Sequence, residues 1–407
     1  MLTFYIGVVV FFAITWIVEY RYGLLKKINT YNGCEFLSNI SMGLTSTVVS
    51  LCITLISIPL YEQIYSISPI KGMLSNPWLH FLFGLVLYDF LYYWNHRWHH
   101  EVSVLWLGHS VHHSGQTFNY STSLRLGVIA SLTSWFMFMP MAIMGVGVEV
   151  YLAIYAIQLF YQHLIHTRHI PKLGWLEHVF YTPSHHRVHH ARNPQYIDKN
   201  HGCFFIVFDK LFGTFAEEKA DDEPVYGTTH VVASHTPSRV NFFEVTRMAN
   251  YLARHGRTAR QFIRVLLGNP DYETFTDTSA SQPKSRIDLT EYSQSLSTLA
   301  VIRFLMGLVI AIAITVVFME KMTAMQPIEL IVAVVLIIGV IDMAAKELVK
   351  RVKSGVDWYA TLLVGFLFTA TFLEIISFSL AAIILVYLAL QTFYRPNKVK
   401  AQEFEGT

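Results

Sequence analysis

Histidines at helical spacing dominate the centre of this 407-residue sequence. Of the 19 histidines in the chain, 15 lie between His96 and His201. Positions i, i+3 and i+4 share one face of a helix, so histidines at these spacings direct their imidazoles to one side. Three clusters have this spacing: His96 and His100; His109, His112 and His113; and His186, His189 and His190.

Eight converging imidazoles are more than one metal ion can use, so the pattern predicts two ions with four or five nitrogens each. Imidazole binds iron, zinc, copper and nickel. Structural zinc usually has four ligands, often including cysteine, and Cys34, Cys52 and Cys203 are badly placed to contribute. We therefore favour a dinuclear iron site, which at a membrane surface points to oxygen activation.

The composition indicates an integral membrane protein. Apolar residues make up 53% of the chain and charged residues only 14%, whereas soluble domains carry about 25% charged residues. This excludes a disordered chain, a coiled coil and an ordinary cytosolic enzyme. The net charge of +2 is too small to suggest a nucleic-acid partner.

Apolar runs and basic loops predict the topology. Loops that carry excess lysine and arginine stay in the cytoplasm. The basic loops therefore predict that the amino terminus lies outside, and that the histidine region, residues 216–298 and the carboxyl tail lie in the cytoplasm. The active site would then face the cytoplasm, at the inner membrane of a bacterial cell or the endoplasmic reticulum of a eukaryotic one. The runs long enough to cross or enter a bilayer are 2–18, 39–61, 78–94, 124–147, 149–165, 299–319, 328–345, 358–373 and 375–394.

Two carboxylates near the histidines are candidate catalytic residues. Asp89 lies seven residues before His96, on the same helical face, and a carboxylate inside an apolar span is costly and usually functional. Asp89 is expected either to accept the second ring N–H of a ligand histidine or to bond a neighbouring tyrosine. Glu101 follows His100 and could bind metal, orient a ligand or face solvent; the sequence favours none of the three.

The order of these motifs resembles the fatty acid hydroxylase/sterol desaturase superfamily of membrane non-haem di-iron enzymes. Its pattern is HxxxH, HxxHH, a separate histidine and a second HxxHH, and the resemblance covers roughly residues 80–215. Here the motifs read His96 and His100; His109, His112 and His113; His166; and His186, His189 and His190. The resemblance implies two irons per chain and makes His166 a ninth metal ligand. His99 and His163 fall outside the pattern.

Within the superfamily, the chain most resembles the alkylglycerol monooxygenase family. Segments that carry this resemblance include YYWNHRWHHE (92–101), TPSHHRVHHARN (182–193) and FDKLFGTF (208–215). It implies a monooxygenase that hydroxylates the carbon beside an ether oxygen, so that the product collapses to a fatty aldehyde and a glycerol derivative. The implied partners are a lipid substrate, molecular oxygen, and reduced tetrahydrobiopterin or a redox protein as electron donor. The residues that would bind such a cofactor are unknown.

We expect an all-α, polytopic membrane protein in three parts. Residues 1–229 are predicted to hold membrane helices and the histidine-rich hydroxylase domain. Residues 230–298 form a cytoplasmic basic helix and linker, lying on an anionic leaflet or standing in solvent. Residues 299–407 are predicted to be carboxyl-terminal transmembrane helices, and they contain no histidine.

Three other functions compete with this hypothesis. A sterol or fatty-acyl hydroxylase or desaturase of the same superfamily would share every histidine motif. A non-enzymatic metal transporter usually holds its ligands at mid-membrane, whereas these histidines lie at span ends. A zinc hydrolase needs an open coordination position for water, and eight nitrogen ligands would leave little room for one.

Overall fold

A computed structural model of the chain describes residues 2–232, 234–256, 258–271, 296–346 and 348. Regular structure in these residues is helical, and the only strand-like pairings described are two isolated antiparallel bridges, Phe180–Phe205 and Ala191–Tyr226. The prediction of an all-α fold is confirmed. The chain divides into two compact units, Met1–Leu296 and Ser297–Thr407, and the histidine motifs all belong to the first.

The described residues contain fourteen α-helices. Three short 3-10 helices lie between them, at Tyr120–Leu124, Trp135–Phe138 and Gly174–His178. The α-helices are α1 (Leu2–Lys26), α2 (Gly33–Ser66), α3 (Pro77–Glu101), α4 (Ser103–His113), α5 (Val128–Thr133), α6 (Met139–Ile143), α7 (Val148–Ile165), α8 (Pro183–His189), α9 (Val207–Phe212), α10 (Pro237–Asn241), α11 (Phe243–His255), α12 (Ala259–Leu267), α13 (Thr298–Lys321) and α14 (Pro327–Lys346).

Five of these helices are long and apolar enough to cross a membrane: α1, α2, α7, α13 and α14. The predicted runs 2–18, 39–61, 149–165, 299–319 and 328–345 lie within them. The run 78–94 lies within α3, whose last turns are polar and carry histidine. The predicted runs 358–373 and 375–394 lie outside the described residues.

The apolar run 124–147 does not form one membrane-crossing helix, as its hydropathy suggested. It folds instead as α5, a 3-10 turn and α6, which are each six residues long or shorter. Pro140 stands at the start of α6, and Gly145 after it has a φ of +76°, a conformation that favours glycine. The conformational preferences of Pro140 and Gly145 therefore prevent one continuous helix in this segment, although its hydropathy favours one.

Local sequence signals place the histidine-bearing ends of α3 and α4. The Asn76 side chain accepts hydrogen bonds from the backbone N–H groups of Trp78 and Leu79, which fixes the start of α3. A single extended residue, Val102, separates α3 from α4. The start of α4 is tied to the end of α12, since the backbone N–H and the hydroxyl of Ser103 both donate to the Gly268 carbonyl at 2.8 Å.

Two glycines let α4 approach α5 more closely than any other residue would allow. A Cβ added to Gly127 would lie 2.1 Å from the carbonyl oxygen of Gly108, and a Cβ on Gly108 would lie 2.2 Å from the backbone nitrogen of Ala130. Both neighbours are backbone atoms that cannot move aside. Since Gly108 directly precedes His109, this contact positions the helix that carries the second histidine motif.

The second unit contains α13 and α14, which pack against each other. The buried residues of α13 recur at helical spacing, and the small residues Gly307 and Ala311 lie in the middle of that stripe. Small residues allow close approach of membrane helices, where packing rather than the hydrophobic effect stabilises association. The described part of this unit contains no histidine.

Replacing Gly127 with alanine should destabilise the protein by about 1–3 kcal/mol, because an added methyl group cannot fit between α4 and α5. Thermal denaturation of the purified protein in detergent would measure the loss. Gly7→Ala is the matched control, since nothing lies within 4 Å of a Cβ at that position. Equal stability of the two variants would contradict the close α4–α5 contact.

Candidate metal centre

Four helix ends bring nine histidines together in two groups. The histidines of α3, α4 and α8 and His166, the residue that ends α7, all lie in the interior of the first unit. Within each group, one potential ligand atom per residue lies within 4.8 Å of every other. The first group is His96, His100, His109, His113 and His189; the second is His112, His166, His186 and His190. These are the nine residues that the sequence predicted as metal ligands.

The nitrogen separations fit a metal ion in each group. In the first group, the Nε2 atom of His109 lies 2.9 Å from that of His96 and 3.1 Å from that of His113. In the second, the Nε2 of His186 lies 2.9 Å from that of His166 and 3.1 Å from that of His190. Nitrogens bound about 2.1 Å from one ion lie about 3.0–3.4 Å apart.

Two further nitrogens of the first group support the same interpretation. Nε2 of His100 and Nε2 of His189 are buried and have no hydrogen-bond partner in the described part of the chain. A buried polar atom without a partner is costly and calls for a ligand. The nine nitrogens therefore fit two bound ions, although metal binding itself stays a prediction.

Each HxxHH motif contributes histidines to both groups, and the group that receives two histidines from one motif receives one from the other. In α4, His109 and His113 belong to the five-histidine group, whereas His112 belongs to the other. In α8 and the residue that follows it, His186 and His190 belong to the four-histidine group, whereas His189 belongs to the other. The i and i+4 positions are close in angle on a helix, and the i+3 position lies on their other side. The spacing thus divides three histidines between two ions.

Backbone carbonyl groups orient the rings. Nδ1–H of His96 donates to the carbonyl of His201 at 3.0 Å, and Nδ1–H of His189 donates to that of Lys199 at 3.0 Å. Nδ1–H of His112 donates to the carbonyl of Arg125 at 3.1 Å. A histidine that binds metal through one nitrogen usually donates the other N–H in this way, which fixes its tautomer. Nε2 is left to face the ion.

Two side chains complete this outer layer. The hydroxyl of Tyr181 donates to the carbonyl of Asn200 at 2.6 Å, so its oxygen is left to accept from Nδ1–H of His186 at 3.3 Å. The carboxylate of Asp198 accepts from Nδ1–H of His100, also at 3.3 Å. No role was predicted for Tyr181 or Asp198, because neither residue lies at the spacing of the histidine motifs.

Burial keeps these imidazoles neutral. It lowers the pKa of His112 to about 4 and lowers the pKa values of His166 and His190 well below the ordinary value. Neighbouring imidazoles lower the pKa values of His166 and His190 further, because a second positive charge nearby is unfavourable. A neutral imidazole is the form that binds a metal ion.

Two histidines outside the motifs, His99 and His163, have structural roles. Both ring nitrogens of His99 are engaged, one with the carbonyl of Asn95 at 2.7 Å and one with the hydroxyl of Thr133 at 2.9 Å. His163, which the sequence left undecided, is also fully engaged. Its nitrogens lie 2.8 Å from the hydroxyls of Thr15 and Ser123, so it links α7 to α1 and to the 120–124 turn.

The two predicted carboxylates lie close to the site but have different partners from those expected. Asp89 accepts the backbone N–H groups of Phe204 at 2.6 Å and Phe205 at 3.3 Å. No histidine or tyrosine hydrogen bond to it is present among the described residues, so Asp89 holds a loop rather than a ligand ring. Glu101 accepts from Arg97 at 2.8 Å and is partly exposed. A catalytic role for either residue stays a prediction that these contacts do not favour.

The loop that Asp89 holds supplies carbonyl groups to the site. Asp209, in the FDKLFGTF segment, fixes the same loop by accepting the backbone N–H groups of His201 at 2.7 Å and Gly202 at 2.8 Å. The carbonyl of His201 is the group that orients His96. Two buried carboxylates thus shape the backbone of a loop that in turn orients a metal-site histidine.

Comparison with known families agrees with this geometry. The fatty acid hydroxylase family model matches residues 81–214, a range that contains all nine grouped histidines. We refer to residues 81–214 as the fatty acid hydroxylase domain, after the family model that matches them. The fatty acid hydroxylase domain thus extends from within α3 to the loop after α9.

Similar proteins include enzymes that act on lipids. The fatty acid hydroxylase domain and its flanks are similar to alkylglycerol monooxygenase of Homo sapiens, 41% identical over 209 residues, which is 51% of this chain and 46% of that protein. Alkylglycerol monooxygenase of Xenopus tropicalis is 43% identical over 41% of this chain and 36% of its own length. Ornithine lipid hydroxylase OlsE of Rhizobium tropici is 32% identical over 37% of this chain and 46% of that protein.

The chain thus spans about half the length, or less, of the curated relatives it matches. No solved structure matches it.

Metal content should change in a defined way when one ligand is removed. His112→Ala takes one nitrogen from the four-histidine group and leaves the five-histidine group complete. We expect the metal content to fall from about two ions per chain to about one. Elemental analysis of the purified protein would measure this. His163→Gln is the control, since His163 belongs to neither group, and an equal loss in both variants would contradict the assignment.

Tyr181→Phe should weaken metal binding without removing a ligand. The change deletes the hydroxyl that orients the His186 ring, and loss of such an outer contact typically lowers metal affinity about 10- to 100-fold. Competition with a chelator would measure the affinity. Tyr196→Phe is the matched control, because that hydroxyl donates to the carbonyl of Asp222 instead. Unchanged affinity after Tyr181→Phe would show that the hydroxyl does not orient His186.

Proposed function

We propose that this protein is a membrane-bound, oxygen-dependent lipid monooxygenase with two irons per chain. The observation that carries the proposal is the pair of converging histidine groups at helix ends in a chain with five helices long and apolar enough to cross a membrane. The fatty acid hydroxylase domain contains every residue of both groups. Their all-nitrogen donor sets suit iron among other metals.

The proposed reaction inserts one oxygen atom into a C–H bond of the lipid. One O2, two electrons and two protons are consumed, and the products are the hydroxylated carbon and one water. The irons, when bound, would supply the reduction of oxygen and the attack on the unreactive C–H bond. The electrons come from a reduced pterin such as tetrahydrobiopterin, or from a redox protein.

The protein itself holds the nitrogens in place and shields one side of the site from water. Phe118 is buried, and its ring stacks 5.5 Å from that of His166 and 4.9 Å from that of Tyr226. This aromatic stack covers one side of the four-histidine group. Exclusion of water prevents side reactions and strengthens electrostatic interactions within a site. The hydrogen-bonded Nδ1 atoms keep the rings from turning when substrate or oxygen enters.

The substrate that we favour is an O-alkyl lipid. Hydroxylation of the carbon attached to the ether oxygen gives a hemiacetal, which breaks its C–O bond to release a fatty aldehyde and a free glycerol hydroxyl. The similarity to alkylglycerol monooxygenases supports this choice. The similarity to an ornithine lipid hydroxylase supports a second candidate, hydroxylation of another polar lipid without cleavage.

Ligand position disfavours the metal-transporter alternative. Transporters usually bind ions at mid-membrane between spanning helices. Here His166 ends α7, and the ligands of α4 and α8 lie on helices of eleven and seven residues, which are too short to cross a bilayer. We also propose that the site faces the cytoplasm, on the basis of the basic loops.

An aldehyde assay tests the function directly. Membranes that contain the protein receive oxygen, a reduced pterin and a 1-O-alkylglycerol, and fatty aldehyde is measured by mass spectrometry. We expect aldehyde to appear with the intact protein and to fall to background after His112→Ala, because that change dismantles one histidine group. A hydroxylated lipid without aldehyde would favour the second candidate. No oxygen-dependent change in any lipid, with metal uptake intact, would favour transport or storage.

A further inference from the structure

An open pocket leads to the histidine groups from one side of the first unit. It encloses about 690 Å³, including space that is open to solvent, and is lined by residues of α3, α4, α8 and α11 and of the segments that follow α8, α9 and α12. His100, His113 and His189 of the five-histidine group and His190 of the four-histidine group lie in its wall. A molecule in this pocket would therefore reach both groups.

One cation in this pocket is unpaired. Arg192 lines the pocket and is half-buried, and its guanidinium has no hydrogen bond or ion pair with any described residue. Burial lowers its pKa from the ordinary value. Its backbone is nevertheless fixed, since its N–H donates to the carbonyl of Val225 at 2.8 Å beside the Ala191–Tyr226 bridge. The side chain is thus presented from a rigid position.

The other charged residues of the pocket wall have partners. Asp198 accepts from His100, and Glu244 forms an ion pair with Arg247 at 2.6 Å. Asp271 is also engaged. A half-buried charge without a partner is unfavourable, so these pairings leave Arg192 as the group in the pocket that an anionic ligand would stabilise.

We infer that Arg192 binds the phosphate group of a lipid headgroup and makes the protein selective for phosphate-bearing O-alkyl lipids over neutral alkylglycerols. The inference rests on the proposed function, since it names the substrate class of that site. Arginine suits phosphate because its planar guanidinium donates two parallel hydrogen bonds to two oxygens. Asn269 lines the same pocket; its Oδ1 accepts the backbone N–H of Asp271, which leaves its amide N–H groups as further donors.

The proposed substrate would place both of its polar ends in this pocket. In a glycerol lipid, three carbons separate the ether oxygen at one end from the phosphate at the other. Both groups can therefore occupy one pocket, with the phosphate at Arg192 and the ether end at the histidine wall. The alkyl chain then continues past the half-buried Trp106, which also lines the pocket.

Equilibrium binding without turnover tests the inference separately from the proposed function. Purified, metal-loaded protein receives no reductant and is titrated with two lipids of the same alkyl chain, a 1-O-alkylglycerol and a 1-O-alkylglycerol 3-phosphate. We expect Arg192→Gln to raise the Kd of the phosphate lipid about 10- to 100-fold, as loss of a charged hydrogen bond does. The Kd of the neutral lipid should stay unchanged, which also shows that the variant is folded.

Two further variants and one competitor make the result specific. Arg192→Lys keeps the charge and should recover part of the affinity for the phosphate lipid. Arg254→Gln, an exposed residue of α11 outside the pocket wall, should change neither Kd. An equal effect of Arg192→Gln on both lipids, or no effect on either, would overturn the inference. Inorganic phosphate that binds as tightly as the lipid would also overturn it, by showing a free-anion site.

If the aldehyde assay fails but the phosphate lipid still binds selectively through Arg192, the headgroup site stands and the chemistry must be revised. If aldehyde forms from both lipids equally in the intact protein and after Arg192→Gln, the chemistry stands and the headgroup assignment is wrong. The two proposals are therefore decided by different measurements.

Discussion

The packing of nine neutral imidazoles into two groups, in each of which the ring nitrogens lie within 4.8 Å of one another, is the constraint on which the rest of this structure depends. A buried nitrogen must have a partner, and two neighbouring Nε2 atoms can share only one proton. The protein satisfies many of the Nδ1 atoms with backbone carbonyls, which leaves the Nε2 atoms facing one another. A metal ion in each group would remove the remaining conflict. Four helix ends, two glycines in contact and a fixed loop all serve to hold these rings in that arrangement.

The loop from Asp198 to Ile206 is as much a part of the candidate metal centre as the helices are. It supplies the carbonyls of Lys199, Asn200 and His201 to the outer layer of hydrogen bonds. Its own shape depends on Asp89 and Asp209, whose carboxylates accept backbone N–H groups along it. A change at Asp89 would therefore reach the ions through the backbone of a loop, without any contact between Asp89 and a ligand ring.

The sequence predicted the ligands better than their surroundings. Spacing and family resemblance identified the nine histidines that the structure brings together in two groups, because helical geometry is local. Long-range partners were not accessible: Asp89 and Phe204 lie 115 residues apart, and no pattern in the chain joins them. Hydropathy placed five long helices correctly but missed the interruption of 124–147, where Pro140 and Gly145 decide the backbone. No sequence spacing indicated Tyr181, because its role depends on one hydroxyl group and not on a repeated pattern of residues.

The division of each HxxHH motif between the two groups has a geometric consequence. Neither group in the described part of the chain includes a carboxylate, so no acidic side chain is available there to bridge two ions. The separation between the ions would instead follow from the angle between adjacent residues on α4 and α8. His112 and His113 point to different groups, as do His189 and His190. Helical twist, rather than a bridging ligand, would then set the distance between the two metals.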